Sequence, residues 1–326
     1  MKKLINVDAK DLAQAVALLK PTPTGPQAVV VSGGSDLLRM IKHDLVAPDK
    51  LINLKSVKGL DKIQADATGV RIGALVTLST IAADPTIKSK YTCLAEAAAS
   101  VATPQVRNAG TIGGNLAQRP WCWYFRNALF NCLRKGGKQC YGANGENEHH
   151  AIFAGGPCFM IHPSDTATAL VALNGSIRIM GPAGERTVPV SSFFTTPDKD
   201  IKRENVLGPG EIIAGVTLPA AAAGEKSVYK KVMDRGTWDH AVVSLACVVN
   251  VSAGVCNSAR IVLGGVAPTP WRVAAAEKLL VGQKVTPELA VKVGAAAVRG
   301  AHPLKKNEYK VKVAQALVSR TVSSLA

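Results

Sequence analysis

The sequence predicts an α+β protein in two parts, and three observations predict it. A β-branched run, Ala28-Val29-Val30-Val31, leads directly into Ser32-Gly33-Gly34-Ser35-Asp36 and then into Leu37, Leu38 and Met40: strand, glycine turn, helix start. Towards the C-terminus, strand-like runs at 228–233, 242–251 and 259–266 precede helix-like runs at 274–280, 287–298 and 307–323. Elements grouped by type in this way form an α+β unit, here a three-stranded sheet plus helices. Between these parts, residues 106–165 are irregular and rich in Gly, Asn and Cys, with neither a helical nor a strand period.

In chain order, Asp8 is expected to cap a first helix, with Asp11 three residues on and Leu12, Ala15, Val16 and Leu19 on one face. Pro21, Pro23, Gly25 and Pro26 end it. The turn at 32–36 lets the backbone approach a ligand closely, and free N–H groups at the start of a helix suit a phosphate. On this turn alone an ordinary tight turn explains the residues as well, since neither G-x-G-x-x-G spacing nor a P-loop lysine is present. Strands follow at 51–54 and 70–72. Thr77 or Ser79 caps a short helix, and 94–101 is an alanine-rich helix stopped before Pro104. Beyond the irregular segment come a helix at 167–173, strands at 176–180 and 212–218, and a small polar stretch at 220–226. The domains are placed at 1–222, with an insertion at about 118–160, and at 223–326.

The chain has 326 residues, 47% of them hydrophobic, which allows a substantial core. No apolar run reaches the roughly 18 residues needed to span a bilayer, so no membrane span is expected. MKKLINVDAKDL lacks an apolar run after its lysines, so no secretory signal is expected. The formal charge of +16 fits an anionic cofactor or an acidic partner subunit. Because the basic residues are spread out, with no dense run interleaved with aromatics, nucleic acid is not the expected partner.

Four of the seven cysteines, Cys122, Cys132, Cys140 and Cys158, lie in the irregular segment, separated by nine, seven and seventeen residues. Cys93, Cys247 and Cys256 sit in apolar stretches and read as small buried hydrophobes. Three readings compete for the first four. Structural zinc usually takes C-x₂₋₄-C pairs, and none exists here. Unrelated buried thiols fit poorly with the polar surroundings of Cys132 and Cys140. A 4Fe–4S cluster tolerates loose spacing when a long loop wraps it. His149 and His150 could stand in as ligands, but are expected to face solvent.

Several segments in order then carry a resemblance: VVSGGSDLL, RIGALVTLSTIA, VRNAGTIGGNLAQR, HPSDTATALVAL, PGEIIAGVTLP, YKKVMDR and VLGGVAPTPWR. Together they resemble the FAD-binding medium subunit of the molybdenum hydroxylases, the xanthine dehydrogenase and aldehyde oxidoreductase family. The cysteine insertion is similar to that of the subtype with an extra 4Fe–4S cluster, as in periplasmic aldehyde oxidoreductase and 4-hydroxybenzoyl-CoA reductase.

The resemblance implies a vanillyl-alcohol-oxidase-type FAD domain of two α/β subdomains, followed by the C-terminal α+β subdomain. It implies FAD held by Val29, Val30, Val31, Ser32, Gly33, Gly34, Ser35, Asp36 and Leu37, and by Asn108, Thr111, Gly114 and Asn115 of the second glycine-rich segment. His162, Ser164 and Asp165 would lie near the FAD. Lys230 or Lys231 would approach the flavin or a phosphate, where positive charge stabilises reduced flavin. Asp165 as a plain helix cap and one lysine facing solvent are the bland alternatives. Cys122, Cys132, Cys140 and Cys158 would hold the cluster.

The implied partners are a large subunit with molybdopterin cofactor and a small subunit with 2Fe–2S clusters. The external acceptor would be a ferredoxin, a quinone, NAD or dioxygen. The implied role is electron transfer in aldehyde oxidation, with a 4-hydroxybenzoyl-CoA reductase-like or xanthine dehydrogenase-like complex as the alternative. A metal-stabilised basic binding module is the competing reading of another class. The expected compartment is the cytoplasm, or the periplasm by export with a twin-arginine-tagged partner.

Overall fold

A computed structural model describes residues 3–21 and 27–325. Pro23, Gly25 and Pro26, expected to end the first helix, lie outside the described residues. The first lobe is a three-stranded parallel sheet. Lys50–Asn53 is its central strand, between Ile5–Asp8 and Ala28–Val31. Helices Leu12–Leu19 and Leu37–Lys42 lie between the strands in sequence, as parallel pairing requires. Asp8 ends the first strand, and Asp11 is the helix cap, accepting from the Gln14 N–H at 2.8 Å. Asp8 and Asp11, three apart, both fit the capping pattern, and Asp11 rather than Asp8 is the residue that caps.

The second lobe is a five-stranded antiparallel sheet ordered Ile63–Asp66, Gly69–Gly73, Ile212–Pro219, Ser176–Gly181, Gly184–Pro189. The chain leaves the sheet after Gly73 for the helices and the cysteine insertion, and returns through helix Asp165–Ala172. That helix is buried along its whole length. Ile72, Leu94, Ile112, Leu170 and Val216 share the core beneath it.

The C-terminal sheet is four-stranded, not three-stranded: Trp271–Arg272, Val255–Gly264, Val243–Ser252 and Glu225–Val232. The extra strand is a two-residue edge, too short to leave a periodic signal. Strand Val243–Ser252 is buried on both faces. Val243, Leu245, Cys247 and Val249 pack with Val293, Ala314 and Val318 of the terminal helices, while Ala246 and Val248 join the core of the second lobe. Burial of both faces is why the strand reads as an unbroken apolar run rather than an alternating one. Cys93, Cys247 and Cys256 are fully buried in these cores, as expected. No helix among the described residues is long and apolar enough to cross a membrane.

Candidate cofactor sites

Strand Ala28–Val31, half-buried throughout, delivers the turn that follows it. Gly34 has φ 72°, a left-handed backbone that favours glycine. A Cβ on Gly33 would sit 2.1 Å from the Ala109 carbonyl oxygen, so only glycine lets the turn press against the end of helix Pro104–Ala109. Among the described residues, no hydrogen bond uses the N–H groups of Gly33, Gly34, Ser35 or Asp36. Consecutive free N–H groups in a turn form an anion-binding concavity. Leu37 packs beside Met40, Phe125 and Cys132.

The second glycine-rich segment is built differently. Thr111 caps helix Ile112–Ala117 through the Gly114 N–H, and the N–H groups of Ile112 and Gly113 bond to the Val76 and Ala74 carbonyls. The expected loop is therefore two short capped helices on either side of Gly110, with the N–H groups of Gly110, Ile112, Gly113, Gly114 and Asn115 engaged. Its side chains connect the site instead. Thr111 Oγ1 lies 3.0 Å from Ser32 Oγ, joining the two turns. Asn115 Oδ1 accepts from Ser164 Oγ at 2.5 Å and from Thr166 Oγ1 at 2.6 Å. Gly114 and Asn108 are exposed, and Asn108 accepts from Ser79 Oγ. Ser32, Thr111, Gly114, Asn115 and Ser164, distant in sequence, thus fall into one hydrogen-bonded neighbourhood.

Asp165 begins its helix but does not cap it; Ser164 does, accepting from the Ala167 N–H. The Asp165 carboxylate is 4% exposed and receives Lys231 Nζ at 2.8 Å and the Tyr229 hydroxyl at 2.5 Å. Lys231 also donates to the Ser100 carbonyl. Burial, then the Asp165 charge, pushes the Tyr229 phenol well above its ordinary range, so Tyr229 remains a donor. Lys230, next along the strand, is exposed, as side-chain alternation requires. His162 is buried against the Phe194 ring, with centroids 4.1 Å apart, and burial holds its pKa down at about 3. It is a neutral imidazole whose Nε2 has no partner among the described residues. A shallow recess lies between His162, Ser164, Asp165, Ser244 and Gly265. Tyr229 was missed from sequence, although its spacing of two from Lys231 puts both on one face of the strand.

The second site is the insertion. Cys122, Cys132, Cys140 and Cys158 all line one small recess, together with Tyr124, Phe125, Leu133, Arg134 and Met160. Cys132 and Cys158 are buried, and Cys122 and Cys140 half-buried. A hydrogen bond from Cys158 brings the Cys140 thiol down to about 6 and drives Cys158 up in turn. Burial raises Cys122 to about 11. No three His, Cys, Asp or Glu side chains among the described residues close around a single metal ion. His150 was expected to face solvent; it is 2% exposed, with Nε2 3.4 Å from Cys122 Sγ. Its carbonyl takes Asn307 Nδ2 and Lys310 Nζ, both at 3.0 Å, which fixes the insertion to the C-terminal domain. His149 is partly exposed, 3.6 Å from Asp234.

Two acids fasten the insertion on its other side. Asp36 of the first turn accepts the Arg119 N–H at 3.0 Å and pairs with Arg126 at 2.7 Å. Glu204, 8% exposed, takes Arg119 at 2.8 Å and Arg134 at 2.7 Å. Glu204 lies 70 residues from Arg134, and no motif in the sequence marks either.

Residues 3–221 match the family model described as the FAD binding domain in molybdopterin dehydrogenase, and residues 227–325 match the CO dehydrogenase flavoprotein C-terminal domain. The chain is 35% identical to the aldehyde oxidoreductase FAD-binding subunit PaoB of Escherichia coli, over 92% of this chain and 91% of that one. It is 29% identical to the carbon monoxide dehydrogenase medium chain of Hydrogenophaga pseudoflava, over 97% and 94% of the two chains. A solved structure of the carbon monoxide dehydrogenase from that organism superposes with a TM-score of 0.77, covering 98% of this chain and 96% of that one at 29% identity. The fold and the family models together place the chain among the FAD-binding medium subunits of the molybdenum hydroxylase family.

Proposed function

We propose that this chain is the electron-transferring flavoprotein of an aldehyde-oxidising molybdenum hydroxylase complex, carrying FAD and a 4Fe–4S cluster. Its partners in this reading are a large molybdopterin subunit and a small 2Fe–2S subunit. The 35% identity to an aldehyde oxidoreductase subunit supports the substrate class.

The FAD reading rests on the 33–36 turn. Its four N–H groups, without partners among the described residues, suit an anionic diphosphate, and the hydroxyls of Ser32 and Thr111 face each other beside it. Bound flavin supplies a centre for electron and hydride exchange. Asp165, Lys231 and Tyr229 form a buried, charge-compensated support beneath the site. Lys231 in this arrangement orients Asp165, and its charge is already matched.

The cluster reading rests on a single observation: four cysteines with no regular spacing converge on one recess. A mononuclear zinc site holds its sulfurs about 2.3 Å from one ion, which draws them close together. Zinc also favours paired C-x₂₋₄-C ligands, which this segment lacks, whereas four thiols brought to one recess from irregular spacing suit a polynuclear iron–sulfur centre. The half-buried Cys122 and Cys140 suit exchange with an external acceptor such as a ferredoxin, a quinone, NAD or dioxygen.

Anaerobic purification with the partner chains, followed by assay of flavin, iron and acid-labile sulfide, tests the reading. One FAD per complex is expected, with four iron and four sulfide beyond the content of the 2Fe–2S subunit. Cys140→Ser should lose that excess and keep the FAD. Zinc at the insertion, or iron matching the 2Fe–2S subunit alone, would refute the cluster.

A further inference from the structure

Arg134 lines the thiol recess with Cys132 and Cys158 and is 5% exposed. Two of its three guanidinium nitrogens face Glu204: Nε at 3.2 Å and Nη2 at 2.7 Å. The third, Nη1, is buried and bonds to nothing among the described residues. A buried guanidinium N–H without an acceptor is costly, because its water has been lost and nothing replaces it. Glu204 leaves it uncompensated in charge as well. That one carboxylate is shared between two guanidinium groups, Arg119 and Arg134, so it does not fully neutralise Arg134.

We propose that Arg134 tunes the iron–sulfur centre, donating Nη1–H to a sulfur in the recess and holding its reduction potential up. This rests on the cluster reading above. Reduction adds negative charge, and a nearby cation and N–H donor stabilise the reduced form more than the oxidised one. Hydrogen bonds to the sulfurs and local charge are the levers by which a protein sets such a potential. Glu204 opposes the effect by partial neutralisation and, through its two bonds, fixes the plane of the guanidinium. Arg134 is thus both a clamp on the insertion and a source of charge. A clamp alone would not alter the potential of an intact cluster.

The experiment is an EPR-monitored redox titration of the partnered complex. In Arg134→Met, the midpoint of the centre on this chain should move to lower potential by about 59 mV, equivalent to about tenfold in the one-electron equilibrium. Arg134→Lys, which keeps charge but not the planar fork, should fall between Arg134→Met and wild type. Glu204→Gln should move the midpoint the other way. An unchanged midpoint in Arg134→Met with full iron and sulfide content overturns the proposal. If that variant fails to assemble its cluster, Glu204→Gln decides, and a midpoint that is unmoved or lowered overturns it. Absence of the excess iron from the wild-type complex is a separate result, and defeats the cluster reading itself.

Discussion

Asp36 and Arg126 form an ion pair of 2.7 Å, with side chains 19% and 12% exposed, between the turn read as the diphosphate site and the insertion that carries the thiols. The two candidate sites therefore share a joint. Arg126 also donates to the Pro120 and Arg119 carbonyls at 2.7 Å, and its guanidinium lies 4.3 Å from the centroid of the Trp121 ring. Arg39 lies 4.5 Å from the same ring. Trp121, next to Cys122, is thus held between cations beside both sites.

Arg126→Met should weaken both sites at once. Removing one partner of a mostly buried pair leaves the other charge uncompensated, a loss of about 3 kcal/mol when burial is complete and less here. FAD should dissociate about tenfold more readily, a change of about 1.4 kcal/mol, and iron content should fall in the same preparation. Fluorescence of released flavin and a colorimetric iron assay measure the two. Loss of neither would show the joint to be inert.

Gly33→Ala should abolish FAD retention while leaving the C-terminal domain folded. The added methyl would meet the Ala109 carbonyl oxygen at 2.1 Å, backbone against backbone, so one of the two segments must move. Absorbance near the flavin bands, set against far-UV circular dichroism, separates loss of cofactor from loss of fold.

Asp165→Asn alone, or Lys231→Met alone, should destabilise the chain by about 3 kcal/mol or more, since each strands a buried charge. The double variant should be milder than the sum of the two. Thermal unfolding of all three variants gives the coupling between the residues.

Lys310 supplies a pH dependence. It is fully buried, and burial lowers its pKa from 10.5 to about 7. The neutral amine still has two N–H groups for the His150 and Gly265 carbonyls, at 3.0 and 2.5 Å. The folded state binds fewer protons than the unfolded state between about pH 7 and 10.5, so this group makes stability rise with pH across that window. The Tm of wild type should climb between pH 7 and 9 relative to that of Lys310→Met. His162 acts in acid: with a folded pKa of about 3 against an ordinary 6.5, its contribution is present above pH 6.5 and lost as pH falls towards 3.

Most of the fold was legible because its signals are local. The β-branched run before Gly33, the proline and glycine stops, and the apolar run at 242–251 each announce an element within a few residues. Short elements were not legible: strand Trp271–Arg272 and the helices on either side of Gly110 are too brief for a period to appear. In the sites, the sequence marked the cysteines, whose chemistry is carried by residue type, and left Lys230 and Lys231 open by one residue. It did not mark Glu204, Arg126 or Arg134, ordinary charged residues that matter only because folding brings Arg119 and Arg134 to one buried carboxylate. His150 was misread for the same reason. Two adjacent histidines look alike in sequence, and only packing against Cys122 and Lys310 separates the buried one from the exposed one.

The central claim is that the insertion is an iron–sulfur site, and low-temperature EPR of the dithionite-reduced complex tests it most directly. A 4Fe–4S signal is expected, distinct from those of the 2Fe–2S subunit, that disappears in Cys140→Ser while the 2Fe–2S signals and bound FAD remain. A spectrum containing only 2Fe–2S signals, and unchanged by Cys140→Ser, would contradict it.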